Sequence, residues 1–174
     1  MKHLSYFFIS FIIITLCFTG CKKDNWDYTL EGKWKVSDVY YMDRDVVLHG
    51  IHKPNIDFTE NLDIIYDFQK NNKLVITTTY ITGEIKQSEY SYTYQQGGYH
   101  PYSNPPVKYE GCYYLQIDTN KFSCLVSPGG GKSLEITGFS NCNGTVTGVI
   151  DEIDLEILKY DEITSWIKSF DKLK

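Results

Sequence analysis

The chain contains 15 tyrosines among its 174 residues, and one group of them is spaced so that it could bind a ligand. Tyr90, Tyr92 and Tyr94 alternate along one segment, and alternate residues of a β-strand lie on the same face of a sheet. Tyrosine combines an apolar ring with a hydroxyl group that needs a hydrogen-bond partner. The predicted ligand-binding set is this stripe and two tyrosines that follow it, namely Tyr90, Tyr92, Tyr94, Tyr109 and Tyr113.

The direction in which the tyrosine stripe faces decides what it can do. Facing into a cavity, the rings would suit a small aromatic or amphipathic ligand. Facing outward, they would form a platform on which sugar rings or a partner protein could stack, together with Tyr99 and Tyr102 of the following loop. Ordinary aromatic packing between neighbouring strands is the third interpretation.

Other reactive residue types occur without a pattern that supports catalysis. His49 and His52 lie three residues apart in a segment that contains glycine and proline, but a metal site needs a third ligand and a rigid frame. Asp151, Glu152 and Asp154 are expected to be solvated strand residues rather than a catalytic pair of acids. The sequence therefore predicts no enzyme, no metal site and no cofactor.

Three cysteines remain once the N-terminal region is set aside: Cys112, Cys124 and Cys142. An odd number permits at most one disulfide among them and leaves one thiol. Their spacing contains no close pair of the kind that binds zinc. The expected outcome is that they are buried and unpaired, and that they pack as small apolar side chains.

The first twenty residues have the pattern of an export signal. Lys2 precedes an apolar run over residues 4–18, and the small residues Thr19 and Gly20 precede Cys21. This resembles a bacterial lipoprotein signal, in which the Cys21 thiol carries an acyl chain such as palmitate and Cys21 becomes the new N-terminus. A secretory signal cut near Gly20, with no lipid, is the alternative.

The sequence divides into a signal peptide over 1–20, a tether over 21–29 and a single domain over 30–174. Anchoring through Cys21 predicts a cell-envelope protein held by outer-membrane lipid, either periplasmic or surface-exposed. Lys22, Lys23 and Asp24 form a partial version of a signal for the outer face of that membrane. The formal net charge of −5 becomes −6 once Lys2 is removed, and no basic residues cluster, so nucleic acid is not an expected partner.

From residue 33 onward the chain is a succession of short alternating segments, and Asn71-Asn72 and Thr82-Gly83-Glu84 mark two of the turns between them. Eight strands are predicted, over 33–42, 62–69, 73–81, 85–94, 107–118, 121–127, 132–139 and 145–158, with a bulge near Asp151 in the last. Short turns favour an all-β, eight-stranded antiparallel meander that closes into a barrel. An open sandwich is the competing architecture.

The last segment of the chain changes its period. Ile163, Trp166, Ile167 and Phe170 have the spacing of one helical face, with acidic residues before them and lysines after them. This pattern predicts a C-terminal helix. A ninth strand is the alternative, because Ile163 and Thr164 also suit β structure.

Leu30, Gly32 and Trp34 form a Gly-x-Trp pattern at the start of the first predicted strand. The pattern resembles that of lipocalin-like domains in small lipoproteins of Bacteroidetes-type bacteria. A large indole here suits the closure of one end of a barrel, and Gly32 lets backbone pass close beneath it. The resemblance implies a C-terminal helix on the outer wall and a lid formed by the connection over 42–61. It also implies a basic side chain across Trp34, for which Lys159 is the candidate.

These features together predict a membrane-anchored barrel that binds rather than catalyses. In the leading interpretation, a small hydrophobic or amphipathic ligand lies inside the barrel. In the alternative, the domain is a cell-envelope interaction module whose loops and exposed tyrosines bind a glycan or a partner protein.

Overall fold

The structure is a computed structural model that describes residues 28–43, 60–97, 105, 109, 111–127, 132–139, 148–160 and 163–174. Several predicted features lie outside the described residues, namely the signal peptide, the lid, Cys21, His49, His52, Tyr99, Tyr102 and Cys142. Within the described ranges, no helix is both long enough and apolar enough to span a bilayer.

Eight antiparallel strands follow one another in chain order around a closed barrel. They are β1 (Gly32–Asp43), β2 (Leu62–Phe68), β3 (Lys73–Tyr80), β4 (Ile85–Gln96), β5 (Cys112–Ile117), β6 (Asn120–Ser127), β7 (Ser133–Phe139) and β8 (Ile163–Lys172). Because β1 pairs with β2 on one side and with β8 on the other, the described sheet has no free edge. The predicted eight-stranded antiparallel barrel is confirmed, and the open sandwich is wrong.

The alternation in the sequence becomes the two faces of the barrel wall. In β2, Ile64, Tyr66 and Phe68 are buried, while the residues between them are partly exposed. Asn72 turns the chain from β2 into β3 with a φ of 60°, and Gly83 turns it from β3 into β4 with a φ of 84°. Asparagine and glycine tolerate positive φ better than other residues, so both predicted turns are confirmed.

In the C-terminal third, the structure has a strand where a helix is predicted, and a helix where a strand is predicted. The segment predicted as a C-terminal helix is β8, which pairs with both β7 and β1 and completes the barrel. The predicted eighth strand over 145–158 contains instead the helix α1 (Glu152–Ile157). Asp151, where a bulge is expected from the sequence, caps this helix, and its side chain accepts a hydrogen bond of 3.0 Å from the backbone N–H of Asp154.

The reason for the exchange is that β8 is buried on both of its faces. Ser165, Trp166, Ile167 and Lys168 are all buried although they are consecutive. A strand covered on both faces loses the simple alternation of apolar and polar residues, and a short run of this kind cannot be told from a helix by its period. The alternative interpretation of this segment as a strand is therefore the right one.

Trp34 fills the end of the barrel at which β1 begins and β8 ends, here called the tryptophan end. The residue is fully buried, and its indole Nε1 donates a hydrogen bond of 2.7 Å to the Leu30 carbonyl oxygen. The Lys172 ammonium lies 4.9 Å from the ring centroid. Lys172, not Lys159, is thus the basic residue across Trp34, and Lys159 forms an exposed ion pair with Glu156 instead.

Gly32 has the conformation that this end of the barrel requires. Its φ is +119°, which L-residues with a side chain rarely adopt, and a Cβ placed on it would lie 3.1 Å from Cε of Lys172. Glycine at this position therefore allows the lysine stem to approach the backbone and to cover Trp34.

The opposite end of the barrel, here called the helix end, is occupied by α1. Ile153 and Ile157 of this helix belong to the same buried cluster as Trp34 and the inward residues of the strands. The helix therefore contributes to the core, and does not lie on the outer wall as the family resemblance implies.

Candidate functional site

A lysine and two aspartates lie together inside the barrel, at the helix end. Lys168 of β8 is 2% exposed, and its Nζ is 2.7 Å from Oδ2 of Asp151 and 2.8 Å from Oδ1 of Asp154. Tyr66 of β2 donates its hydroxyl hydrogen to Oδ2 of Asp151, and the indole Nε1 of Trp166 donates to Oδ1 of Asp154 over 2.9 Å. These five residues are called the ionic cluster below.

Every carboxylate oxygen of the ionic cluster accepts a hydrogen bond. The two oxygens not bonded to side chains accept from backbone, Oδ1 of Asp151 from the N–H of Asp154 and Oδ2 of Asp154 from the N–H of Ile150 over 3.1 Å. Burial of a charge is costly unless it is paired and hydrogen-bonded, and this condition is met here. The cluster therefore connects α1 to the barrel wall, and the expectation that Asp151 and Asp154 are solvated is wrong.

Burial and like charge raise the pKa of the Asp154 carboxyl. Burial contributes most and the nearby charge of Asp151 adds to it, while Lys168 opposes both, so the pKa rises from 3.8 to about 6. For Lys168, burial lowers the pKa, but the two carboxylates outweigh this and the pKa is raised. The pKa of Tyr66 is well above its ordinary value because of burial and the charge of Asp151. At neutral pH Asp154 is therefore mostly ionised, and Lys168 keeps its proton.

Lys168 is not among the site residues predicted from the sequence, although the sequence contains a signal for it. Once the last segment is aligned as a strand, Trp166, Lys168 and Phe170 share one face. Because Trp166 and Phe170 are large apolar residues, that face has to point inward, and Lys168 with it. The acidic partners then have to come from a segment that enters the barrel, which alternation alone does not identify.

Three of the five predicted ligand-binding tyrosines form one aromatic cluster at the tryptophan end. The rings of Tyr92 and Tyr94 are stacked at 6.2 Å, and the rings of Tyr94 and Tyr113 meet edge to face at 5.4 Å. Tyr92 donates a hydrogen bond of 2.9 Å to the Gln69 carbonyl oxygen, and Tyr113 donates to that of Tyr28. Burial raises the pKa of the Tyr92 hydroxyl to about 12. Tyr94, by contrast, is 43% exposed.

The other two predicted tyrosines lie apart from this cluster. Tyr90 faces α1, and its hydroxyl donates a hydrogen bond of 2.9 Å to the Ile150 carbonyl oxygen. Tyr109 lies before β5, which begins at Cys112 rather than at residue 107, and its ring meets that of Tyr28 edge to face at 5.8 Å. The structure therefore brings three members of the predicted set together and separates two.

The interior of the described barrel is filled by its own side chains. Phe68 contacts Tyr92 at 5.1 Å between ring centroids, and Tyr66 contacts Phe170 at 4.9 Å. Packing is so close that a Cβ placed on Gly138 would lie 2.4 Å from Cε2 of Trp166. Cys112 and Cys124 are buried and unpaired, as expected. The side chains in this interior are therefore in direct contact with one another.

The outer wall carries an open groove across β4, β5 and β6. Its volume is about 560 Å³. Pairing between the strands arranges its outward side chains in two rows of three. This outer groove is defined by Gln95, Tyr114 and Ser123 in one row, and by Thr93, Gln116 and Lys121 in the other.

A second depression, of about 60 Å³, lies at the helix end between β3, β4 and α1. Its volume is far smaller than that of the outer groove. No group of three metal-ligating side chains is found among the residues that the structure describes, and His49 and His52 are outside them.

The fold and these features define a closed eight-stranded barrel with a buried aromatic cluster, an architecture compatible with ligand binding. In comparisons with family models, curated proteins and solved structures, none matches this chain.

The ionic cluster makes a prediction about stability. Lys168→Met leaves two buried carboxylates without their ammonium, and we expect the free energy of unfolding to fall by about 3–5 kcal/mol. Urea denaturation followed by tryptophan fluorescence measures the change. The matched control is Lys35→Met, which removes an exposed ion pair with Asp63 and should change the free energy of unfolding by less than about 1 kcal/mol. Equal effects of the two substitutions would contradict this role of the cluster.

The raised pKa of Asp154 makes a second prediction. Between pH 4 and 6 the folded state binds more protons at this carboxyl than the unfolded state does, so its contribution to the free energy of unfolding falls as pH rises. We expect Asp154→Asn to remove this dependence on pH. Over the whole titration, the dependence changes the free energy of unfolding by at most about 3 kcal/mol. Urea denaturation of both proteins at pH 4, 5, 6 and 7 tests it. A difference between the proteins that is constant over this range would count against a titrating Asp154.

Proposed function

We propose that this protein is a lipid-anchored, non-enzymatic binding protein of the bacterial cell envelope, and that it binds on the outer wall of a filled barrel. The observation that carries this proposal is the contrast between the two faces of the wall. The inner face is covered by side chains in contact with one another, whereas the outer face has an open groove of about 560 Å³. Ligand sites are normally concave and of this size.

Both ends of the barrel are occupied by parts of the chain itself, which supports the proposal of a filled interior. Trp34 and Lys172 occupy the tryptophan end, and α1 occupies the helix end. Opening the helix end would separate Asp151 and Asp154 from Lys168 and leave buried charges unpaired. Entry of a ligand at that end would therefore be costly.

The polar groups inside the barrel also argue against catalysis. The ionic cluster places acidic and basic groups together inside the barrel, but all four of its carboxylate oxygens already accept hydrogen bonds. A general acid or base has to reach its substrate directly or through one water. A buried cluster with occupied acceptors does not offer that access.

The anchor is supported by the N-terminal sequence. Lys2, the apolar run over 4–18 and Gly20-Cys21 together resemble a lipoprotein signal. Within the predicted tether over 21–29, the Tyr28 carbonyl oxygen accepts a hydrogen bond from Tyr113, so at most the seven residues from 21 to 27 can separate an acyl group on Cys21 from this contact. Seven residues span at most about 25 Å. The tryptophan end would then lie near the outer membrane, on its periplasmic or its external side, and the wall that carries the outer groove would face sideways.

Capture of a small hydrophobic or amphipathic ligand at the barrel mouth is the second candidate function. Tyr94 favours it, because this ring is 43% exposed and contacts both Tyr92 and Tyr113 at the tryptophan end. A ligand that stacks on Tyr94 would begin at the mouth and displace little of the buried core.

The anchor makes a simple prediction. Cys21→Ser removes the thiol that would be acylated, and we expect the protein to move from the membrane fraction to the soluble fraction and to stop incorporating labelled palmitate. Cys124→Ser is the control, since Cys124 is a buried thiol that should not affect acylation. An unacylated wild-type protein would contradict the anchor without affecting the proposal about the outer wall.

The two candidate functions are separated by binding experiments on the Cys21→Ser protein, which keeps the whole barrel. We expect native mass spectrometry to show the polypeptide without a small ligand, and the folded protein to bind isolated cell envelopes saturably. Absence of saturable binding to envelopes would contradict the proposed function. A bound apolar molecule that is lost in Tyr94→Ala would favour the second candidate instead.

A further inference from the structure

We propose that the outer groove binds a saccharide, with one pyranose ring stacked on Tyr114; this inference rests on the proposed function and names its ligand class. Tyr114 does not belong to the tyrosine stripe predicted from the sequence, which consists of Tyr90, Tyr92 and Tyr94. Tyr114 has the opposite orientation from Tyr113, because neighbouring residues of a strand point to opposite faces.

Strand pairing places Tyr114 at the centre of one row of the groove. It pairs with Gln95 of β4 on one side and with Ser123 of β6 on the other. In the next row, Gln116 pairs with Thr93 and with Lys121. Tyr114 is 55% exposed, which is more than any other tyrosine among the large exposed hydrophobic residues of the described chain. A ring in the middle of a wall is thus presented to solvent with polar side chains around it.

The side chains of the groove have the chemistry that a sugar requires. An aromatic ring presents an apolar surface to the C–H face of a pyranose, while amides and hydroxyls can donate to and accept from its hydroxyl groups. The Gln116 amide is already oriented, because its Nε2 donates a hydrogen bond of 2.7 Å to the Asp118 carbonyl oxygen. Gln95 lies beside the ring of Tyr114, on the other side from Ser123.

The size of the groove also suits one or two sugar rings. Adjacent strands are about 4.8 Å apart and alternate residues of a strand are about 7 Å apart, so the two rows cover about 10 by 7 Å. A stable protein interface needs about 800 Å² on each partner, which is many times this area. The six outward side chains that define the groove also include no aliphatic residue in the described part of the chain, whereas the centre of a protein interface is normally apolar.

The charge of the groove sets it apart from the rest of the chain. The chain has a formal net charge of −5, but among the described residues that line the groove there is no carboxylate and one lysine, Lys121. A ligand rich in hydroxyl groups therefore meets donors and acceptors here without a nearby acidic side chain in the lining. Lys121 adds one further donor at the edge of the second row.

The test uses the Cys21→Ser protein and a panel of oligosaccharides: maltoheptaose, cellohexaose, laminarihexaose, mannohexaose, xylohexaose and the hexamer of N-acetylglucosamine. We expect saturable binding of at least one member in saturation-transfer NMR and calorimetry. Tyr114→Ala should weaken it by about tenfold or more, since central aromatic contacts dominate binding energy. Tyr114→Phe keeps the ring and should bind within about threefold of the parent protein, a difference of under 1 kcal/mol.

The matched control is Tyr40→Ala. Tyr40 lies on the outer side of β1, because its neighbour Val39 belongs to the core cluster, and β1 pairs with β2 and β8 rather than with the strands of the groove. This variant should bind as the parent protein does, and thermal melting should show that all variants are folded. Binding of none of the oligosaccharides, or binding that Tyr114→Ala does not change, would overturn the inference. Saturable binding to envelopes that survives periodate oxidation of their glycans would also overturn it, while leaving the proposed function in place.

Discussion

The interaction between Lys168 and the two aspartates of the α1 segment constrains much of the described structure. A lysine in the wall of a small barrel has no water to solvate it, so it needs anionic partners that come from inside. Asp151 supplies one carboxylate as the N-cap of α1, and Asp154 supplies the other from its first turn. The short helix is thus held in the barrel by charge as well as by the apolar contacts of Ile153 and Ile157.

This constraint decides what the interior can do. Eight strands enclose a space just wide enough for side chains or for one small ligand. Here α1, Trp34 and the aromatic cluster occupy that space, and the hydroxyls of Tyr92 and Tyr113 are bonded to backbone carbonyl groups. The outward side chains of the wall do not have to fill the interior. Closure of the sheet also satisfies the backbone hydrogen bonds without any help from them. A binding surface there can therefore be built from residues such as Tyr114 at little cost to the fold.

Much of the fold could be predicted from local sequence patterns. The strands β1 to β3 lie close to their predicted positions because each alternates between buried and more exposed residues, and turn residues such as Asn72 and Gly83 mark the ends of β2 and β3. The prediction of secondary structure was wrong for β8 and for the segment of α1, where buried and exposed residues do not alternate in this way. β8 is covered on both faces and has a helical period, and the segment of α1 has enough β-branched residues to suit a strand. The number of strands was right although one of the eight was misplaced.

The sequence by itself determined the alternation of the wall, the turns, the burial of Trp34 and the excess of tyrosines, since these depend on neighbouring residues. It also carries the lipoprotein-like N-terminal pattern. Only the tertiary structure decided that Lys168 meets Asp151 and Asp154, that Lys172 rather than Lys159 covers Trp34, and that Tyr114 lies in an open groove. These contacts join residues that are distant in the chain, and their geometry depends on the closure of the barrel and on the register of its strands.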